Sequence, residues 1–304
     1  MHRRVKIILN PMADMGNAWR IARDLRSITE QHGGVEWSGT VYPGHAIDLA
    51  KQSEGYDMVI AMGGDGTVHE VMNGLMQIPE NKRPIMGIVP VGSGNDFAHS
   101  LGISTKPTEA LAYALDGEPS TVDLGLMTAG DGRREYFDNT LGIGFGAIVT
   151  IRSHRIPFLR GFLMYLTSVI QTIILDHNPI TMQIETDTDK WEQKAIYLIL
   201  CNGPREGGGF LIAPEAKIDD GIFHYAMITD VSRAMMFRIV PEVMKGTHGR
   251  FKQVRMGTCK KFSLTADRPL YIHADGEIYS GPGSDLRKVS FEILPNALKV
   301  VRGK

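Results

Sequence analysis

Cysteine is nearly missing from this 304-residue sequence. Cys201 and Cys259 are the only two, too few for a disulfide scaffold and without metal-ligand spacing, which points to a reducing compartment, the cytoplasm. Charge of one sign is missing as well: 33 Lys and Arg face 34 Asp and Glu. With Trp19, Trp37 and Trp191 scattered rather than clustered, neither a basic surface nor a stacking platform is expected, and nucleic acid is excluded as a partner. Long apolar runs are scarce. The strongest, FLRGFLMYLTSVIQTIIL at 158 to 175, contains Arg160 and Gln171 and has no successor, so a buried or interfacial helix is expected rather than a membrane span. The first apolar run, after two arginines, is short and lacks a small-residue cleavage site, so it is expected to be a strand and not a signal peptide. No repeat or low-complexity tract interrupts the chain. An ordinary soluble globular protein remains, 43% apolar and long enough for two cores.

The texture of the chain changes part-way along. In the first third, strand-like VKIILN (5 to 10), VEWSGTV (35 to 41), MVIAMGG (58 to 64) and IMGIVPVG (85 to 92) alternate with helical patterns near 17 to 32, 44 to 53, HEVMNGLMQ and DFAHSLG. Such alternation implies a parallel sheet covered on both faces. After about 122 the runs YFDNTLGIGFG, ITMQIETD, KAIYLILCNG, GIFHYAMI, KKFSLTAD, LYIHADGEI and KVSFEILP are strand-like and joined by Gly, Asp and Asn turns, with helices near 156 to 175 and 232 to 246. The expected architecture is therefore a three-layer α/β domain at 1 to 123 followed by a mainly antiparallel β-sandwich at 124 to 304, with the extreme C-terminus packing back on the first.

Two glycine turns stand out in the first domain. Gly63, Gly64, Asp65, Gly66 and Thr67 follow a strand and open a helix, and PVGSGNDF (90 to 97), with Ser93 and Asp96, repeats the arrangement after the next strand. Free N–H groups at helix starts favour anions, and glycine lets backbone approach phosphate closely. Neither turn is the G-x-x-x-x-G-K-[ST] loop or the G-x-G-x-x-G fingerprint. Asp65, Asp96 and Asp123 each lie at or just after a strand end and are expected to converge on one edge of the sheet. Asp275 and Glu277 flank Gly276. In a strand they face one side and enter a cleft together, where like charge raises one pKa as a proton acceptor requires; in a hairpin turn they are exposed acids. KIDDGI (217 to 222) reads on its own as an Asp-Gly turn.

GGDGT followed by HEVMNGL and then GSGND resembles the diacylglycerol kinase catalytic domain, in the bacterial branch of soluble lipid kinases. The resemblance runs through Asn10-Pro11 with Gly16, Thr40 to Ala46, NTLGIGFGA, the glycines 207 to 209, PEAKIDDGIF, HADGE and ILPNALKV. It implies an ATP- and Mg²⁺-dependent kinase whose ATP contacts are Asn10, Pro11, Met12, Ala13, Asp14, Thr40, Gly64, Asp65, Gly66, Thr67, Val68, His69, Glu70 and Ser93. Relatives often carry a Ser-Gly pair where this chain reads Met12-Ala13-Asp14-Met15-Gly16. Asp65, Asp96 and Asp123 would surround the catalytic Mg²⁺, and the Asp275–Glu277 segment would supply the base, either carboxylate being eligible. A structural Mg²⁺ would sit on the carbonyls of Lys217 and Ile222 and the side chain of Asp220, oxygen donors suited to that ion.

The acceptor implied is a membrane lipid. Arg152, Arg155 and Arg160 lie beside the apolar helix, a pairing that suits anionic headgroups and peripheral contact with a membrane, or else a packing helix with a solvated basic end. A homodimer remains open. Two other functions stay in view: a nucleotide kinase of the NAD kinase type, which shares GGDGT but normally lacks the G-[ST]-x-N-D turn and the K-x-x-D-G segment, and a non-catalytic lipid- or nucleotide-binding regulator.

Overall fold

The computed structural model describes residues 3–156 and 158–303; Pro157, within the basic apolar segment, falls outside them. The chain divides into two compact units, one ending at Val122 and taking back the chain from Asn296, the other Asp123–Pro295.

The first unit begins with β1 (Val5–Leu9), α1 (Asn17–His32), β2 (Val35–Gly39), α2 (His45–Lys51), β3 (Met58–Gly63), α3 (Asp65–Leu75), β4 (Ile85–Pro90), α4 (Asp96–Ser100) and α5 (Pro107–Asp116). β1, β3 and β4 are buried almost throughout and read as continuous apolar runs, as strands covered on both faces must. All pair in parallel, in the order β2-β1-β3-β4. Connections from β1 leave to one side and those from β3 to the other, so the topological switch point lies between these two strands. α5 was not apparent in the sequence pattern; it starts at Pro107, whose fixed φ suits the first turn, and buries Ala110, Leu111, Ala114 and Leu115.

β5 (Pro119–Ala129) leads into the second unit, which continues with β6 (Arg134–Phe137), β7 (Thr140–Gly144), α6 (Phe145–Ser153), α7 (Gly161–Leu175), β8 (Ile180–Thr186) and β9 (Lys190–Cys201). β10 (Phe223–Thr229), α8 (Arg233–Lys245), β11 (Val254–Cys259), β12 (Lys261–Ala266), β13 (Ile272–Ala274), β14 (Glu277–Ser280) and β15 (Lys288–Val301) complete the chain. Pairing in this unit is antiparallel, and β9 is its hub: its first half pairs β8, its second half lies between β7 and β10. Leu198 and Leu200 enter one core with Phe137, Phe223 and Phe262. Tyr197, Ile199 and Cys201 enter another with α7 and α8 residues such as Ile173 and Ile239, as strand alternation dictates.

One expected strand is cut short. NTLGIGFG turns from β7 into α6 at Gly144, whose φ is +80° and whose Cβ would lie 2.7 Å from the Ile196 carbonyl oxygen. A left-handed residue with no room for a side chain ends the strand, and α6 precedes α7 where one helical region was expected. β15 crosses the division: its last residues belong to the first unit, where Val300 stands opposite Met86 of β4.

Candidate active site

Ligands of open parallel sheets gather at the carboxyl ends of the strands, beside the switch point. The loops there in the first unit follow β1, β3 and β4. After β1, Asn10 accepts a hydrogen bond at Oδ1 from the Met12 N–H (3.0 Å) and donates through Nδ2 to Thr67 Oγ1 (3.2 Å), tying this loop to α3. Asp14, Met15 and Gly16 then take φ of 48°, 55° and 89° in succession. Left-handed Asp and Met cost energy that ordinary connections avoid, and such strain collects at functional sites. Met12 and Met15 stand exposed. Thr40, at the end of β2, donates its N–H to the Leu9 carbonyl.

The two glycine turns touch each other. A Cβ on Gly92 would lie 2.4 Å from Gly64 Cα, and one on Gly94 would lie 2.6 Å from Asp65 Oδ2. Asp65 accepts the N–H of Asn95 and of Asp96 through its two carboxylate oxygens, each at 2.7 Å. Asn95, itself left-handed at φ 54°, closes the second turn on Gly92 through both side-chain atoms. Glycine at 64, 92 and 94 is therefore required first by the packing of turn on turn. Asp65 and Asp96 are brought together in this unit.

Glu70 proves to be a second clamp. Its carboxylate oxygens accept the N–H groups of Gly44 and Ala46 at 2.9 and 3.1 Å and hold the start of α2. Val68 and His69 are buried inside α3, with Asn73 3.3 Å from the His69 ring, so their side chains are core and only their backbone lies at the strand ends. Gly66 is half-buried and Ser93 exposed.

In the second unit Asp123 is 1% exposed and accepts the Gly221 N–H at Oδ2 (2.6 Å), while its own N–H donates to the Ile218 carbonyl (2.7 Å). It thus braces the Lys217–Ile222 segment, bent by Gly221 at φ +71°. Asp220 accepts the Ile222 N–H at Oδ1 (3.3 Å) and lies 3.9 Å from His224. One carboxylate and two carbonyls are hard oxygen donors of the kind Mg²⁺ takes, with water completing its shell. Among the described residues no three His, Cys, Asp or Glu side chains gather as a metal cluster, and this donor set does not need one.

The same-face expectation for Asp275 and Glu277 is corrected. Asp275 and Gly276, at φ 51° and 86°, form the two-residue turn between β13 and β14. Two successive positive φ values are the hairpin geometry that Asp-Gly favours. The hairpin alternative was nearer, except that Asp275 is buried: its carboxylate accepts the N–H groups of Asp138, Asn139 and Thr140, each at 2.9 Å. Glu277, first in β14, is exposed. A further pair escaped sequence reading altogether: Glu206 and His273, far apart in the chain, are buried 3.1 Å apart. Arg152 is also corrected, because it forms an ion pair with Asp176 and is not left for headgroups.

A parallel unit with two glycine turns packed against each other shares one chain with a unit of antiparallel strands. Residues 4–127 match the diacylglycerol kinase catalytic domain, and residues 139–302 match the YegS C-terminal NAD kinase beta sandwich-like domain. A Yersinia pestis protein named "Probable lipid kinase YegS-like" is 30% identical over 90% of this chain and 84% of its own. A Chromohalobacter salexigens protein of the same name is 38% identical over 64% of this chain and 60% of its own. A crystal structure of a diacylglycerol kinase from Bacillus anthracis shares the fold with a TM-score of 0.72 at 20% identity, covering 99% of this chain and 97% of that one. The chain belongs to the diacylglycerol kinase catalytic-domain family of lipid kinases, with the YegS-type C-terminal domain.

Proposed function

We propose that the protein transfers the γ-phosphoryl group of ATP to the hydroxyl of diacylglycerol or a related lipid. The observation that carries this reading is the Asp65 clamp, which joins the two glycine turns into one rigid surface of backbone beside the β1/β3 switch point. Phosphoryl transfer asks a protein mainly for alignment and charge stabilisation. The left-handed loop after β1, Gly66 at the start of α3 and exposed Ser93 present that alignment on the first unit. Asp65 and Asp96 on the first unit would offer oxygen donors to the catalytic Mg²⁺, which when bound neutralises phosphate charge, and Lys217, Ile222 and Asp220 on the second unit, in the segment braced by Asp123, would offer them to a separate structural Mg²⁺. The Asp275–Glu277 hairpin supplies the acceptor for the hydroxyl proton, Asp275 anchored by three N–H groups and Glu277 standing open.

The lipid side of the reading is supported by α7. Leu163, Ile170, Ile174 and Leu175 are exposed on it, Phe158 before it is 92% exposed, and Arg155 and Arg160 are exposed beside them. At 15 residues it is no membrane span, and among the described residues no helix is; it suits lying in the headgroup layer.

Labelled ATP offered with Mg²⁺ and a panel of diacylglycerols, other lipids, sugars and NAD tests the proposal. Phosphorylated diacylglycerol or a related lipid is the expected product, and label passing only to NAD or a sugar overturns it. Glu277→Gln and Asp275→Asn then separate the two carboxylates, since loss of a general base lowers kcat by roughly two to four orders of magnitude while ATP affinity holds.

A further inference from the structure

Behind the Asp275–Gly276 turn lies a set of buried polar side chains that the proposed chemistry does not use. His273, on β13, is 0% exposed, and its Nε2 faces Glu206 Oε1 at 3.1 Å. Tyr197 on β9 donates its hydroxyl to Glu206 Oε2 at 3.1 Å, and Tyr165 on α7 hydrogen-bonds the same carboxylate. Glycines make the space. A Cβ would lie 2.1 Å from His273 Nε2 if built on Gly142, 2.6 Å from the Tyr197 ring on Gly146, and 2.5 Å from the Tyr165 ring on Gly207.

This arrangement is costly to keep. Glu206 Oε1 and both ring nitrogens of His273 have no aligned hydrogen-bond partner among the described residues, and buried polar atoms of that kind call for a reason. Burial, with a smaller push from Asp275, raises the Glu206 carboxyl to about 7, and burial lowers His273 to about 4. Both groups are thereby drawn toward their neutral forms.

The hairpin needs holding. β13 has three residues and β14 four, at the edge of the order β14-β13-β7, and so short an edge hairpin has little stability of its own. Asp275 anchors its tip to the Asp138–Thr140 backbone. His273 is the next inward side chain on the same strand face, and Glu206 is what it rests against.

We propose that Glu206 is a positioning residue for phosphoryl transfer: through His273 it sets the placement of the Asp275–Glu277 turn, while Tyr197 and Tyr165 fix Glu206 itself to β9 and α7. The inference rests on the lipid-kinase reading of that turn. Its chemistry is contact and shape, with no proton leaving the cluster during turnover.

Two variants of similar size test it. Glu206→Gln keeps an oxygen for Tyr197 and an amide for Nε2, whereas Glu206→Leu removes both. The expected result is kcat per folded molecule within about threefold of wild type for Gln and at least tenfold lower for Leu, with KM for ATP unchanged in both. Amide hydrogen exchange at Asp138, Asn139 and Thr140, the donors to Asp275, should quicken about tenfold in Leu and not in Gln. Equal kcat in Leu and wild type, or equal losses in Gln and Leu, overturns the proposal. Should Leu fail to fold, Tyr197→Phe removes one hydroxyl only, and unchanged kcat together with unchanged exchange there overturns it as well. A wild-type protein inactive on every lipid overturns the lipid-kinase reading instead, while quicker exchange confined to Leu still supports the placement of the turn.

Discussion

Asp65 shows what a motif residue does once its neighbours are known. It was expected beside a metal, and it accepts two backbone N–H groups of the partner turn. In Asp65→Asn, an amide NH₂ replaces one oxygen and faces a backbone N–H, losing a charge-assisted bond of about 1.5–3 kcal/mol. Urea unfolding should show that loss in the first unit, and ATP affinity should fall with it because the turns no longer hold their mutual packing. Gly64→Val fails for the same steric reason, through contact with Gly92, and is a poor probe of phosphate approach. Gly66→Val is the better one. A folded Gly66→Val protein with unchanged ATP affinity would contradict the assignment of phosphate to this turn.

Glu206 and His273 make a prediction about pH. Folded Glu206 keeps its proton to about 7 against 4.5 in the open chain, so its contribution to stability is full below 4.5 and lost as pH rises to 7. Folded His273 releases its proton near 4 against 6.5 when unfolded, so its contribution is full above 6.5 and lost as pH falls to 4. Each amounts to about 3 kcal/mol, and between 4.5 and 6.5 they oppose one another. Glu206→Gln removes one slope only. Its stability relative to wild type should therefore climb by about 3 kcal/mol from pH 4.5 to 6.5, read from urea midpoints; a parallel pair of profiles counts against burial holding Glu206 in its protonated form.

Among the described elements, α7 carries exposed large apolar side chains along its outer face. Val169 and Ile173 are buried in the second unit, whereas Leu163, Ile170 and Ile174 are exposed. Replacing these three with serine leaves the packed face untouched and should reduce binding to anionic vesicles by tenfold or more. Arg155→Gln should take away about 1 kcal/mol, roughly fivefold, and that part should vanish at high salt. Arg152→Gln should instead weaken the fold, by freeing Asp176. Co-sedimentation with vesicles of phosphatidylglycerol distinguishes the cases, and binding unchanged by the triple serine variant would make α7 a packing helix alone.

For the whole molecule, the returning end of the chain decides the stability of the first unit. Leu298, Val300 and Val301 are buried, Val300 stands beside β4, and Arg83 donates to the Ala297 carbonyl at 2.7 Å. Deleting residues 296–304 bares the edge of β4 and removes three aliphatic side chains worth about 2 kcal/mol each. The expected outcome is a fall in Tm on the order of 10 °C, with the earliest protease cuts in β4 and α5. A truncated chain melting with the full one would contradict this dependence.

Much of this was legible from pattern. Apolar runs of five or six residues separated by helical periods specified the parallel unit, because strands buried on both faces admit little else, and Gly-Asp-Gly-Thr after a strand marked the turn where a helix begins. Local chemistry left Asp275 and Glu277 between one strand face and a hairpin turn, and the positive φ values of Asp275 and Gly276 decided for the turn. What pattern left undecided depends on contacts between distant residues. That Gly92 is glycine because Gly64 lies against it, that Glu70 holds α2, that Arg152 is taken by Asp176, and that Glu206 meets His273 all follow from which segments come to lie side by side. Period and propensity act over a few residues, whereas these contacts exist only after β7, β9 and β13 have paired. Hence the kind of enzyme was readable along the chain, whereas which backbone groups Asp65, Glu70 and Asp275 hold was decided by packing.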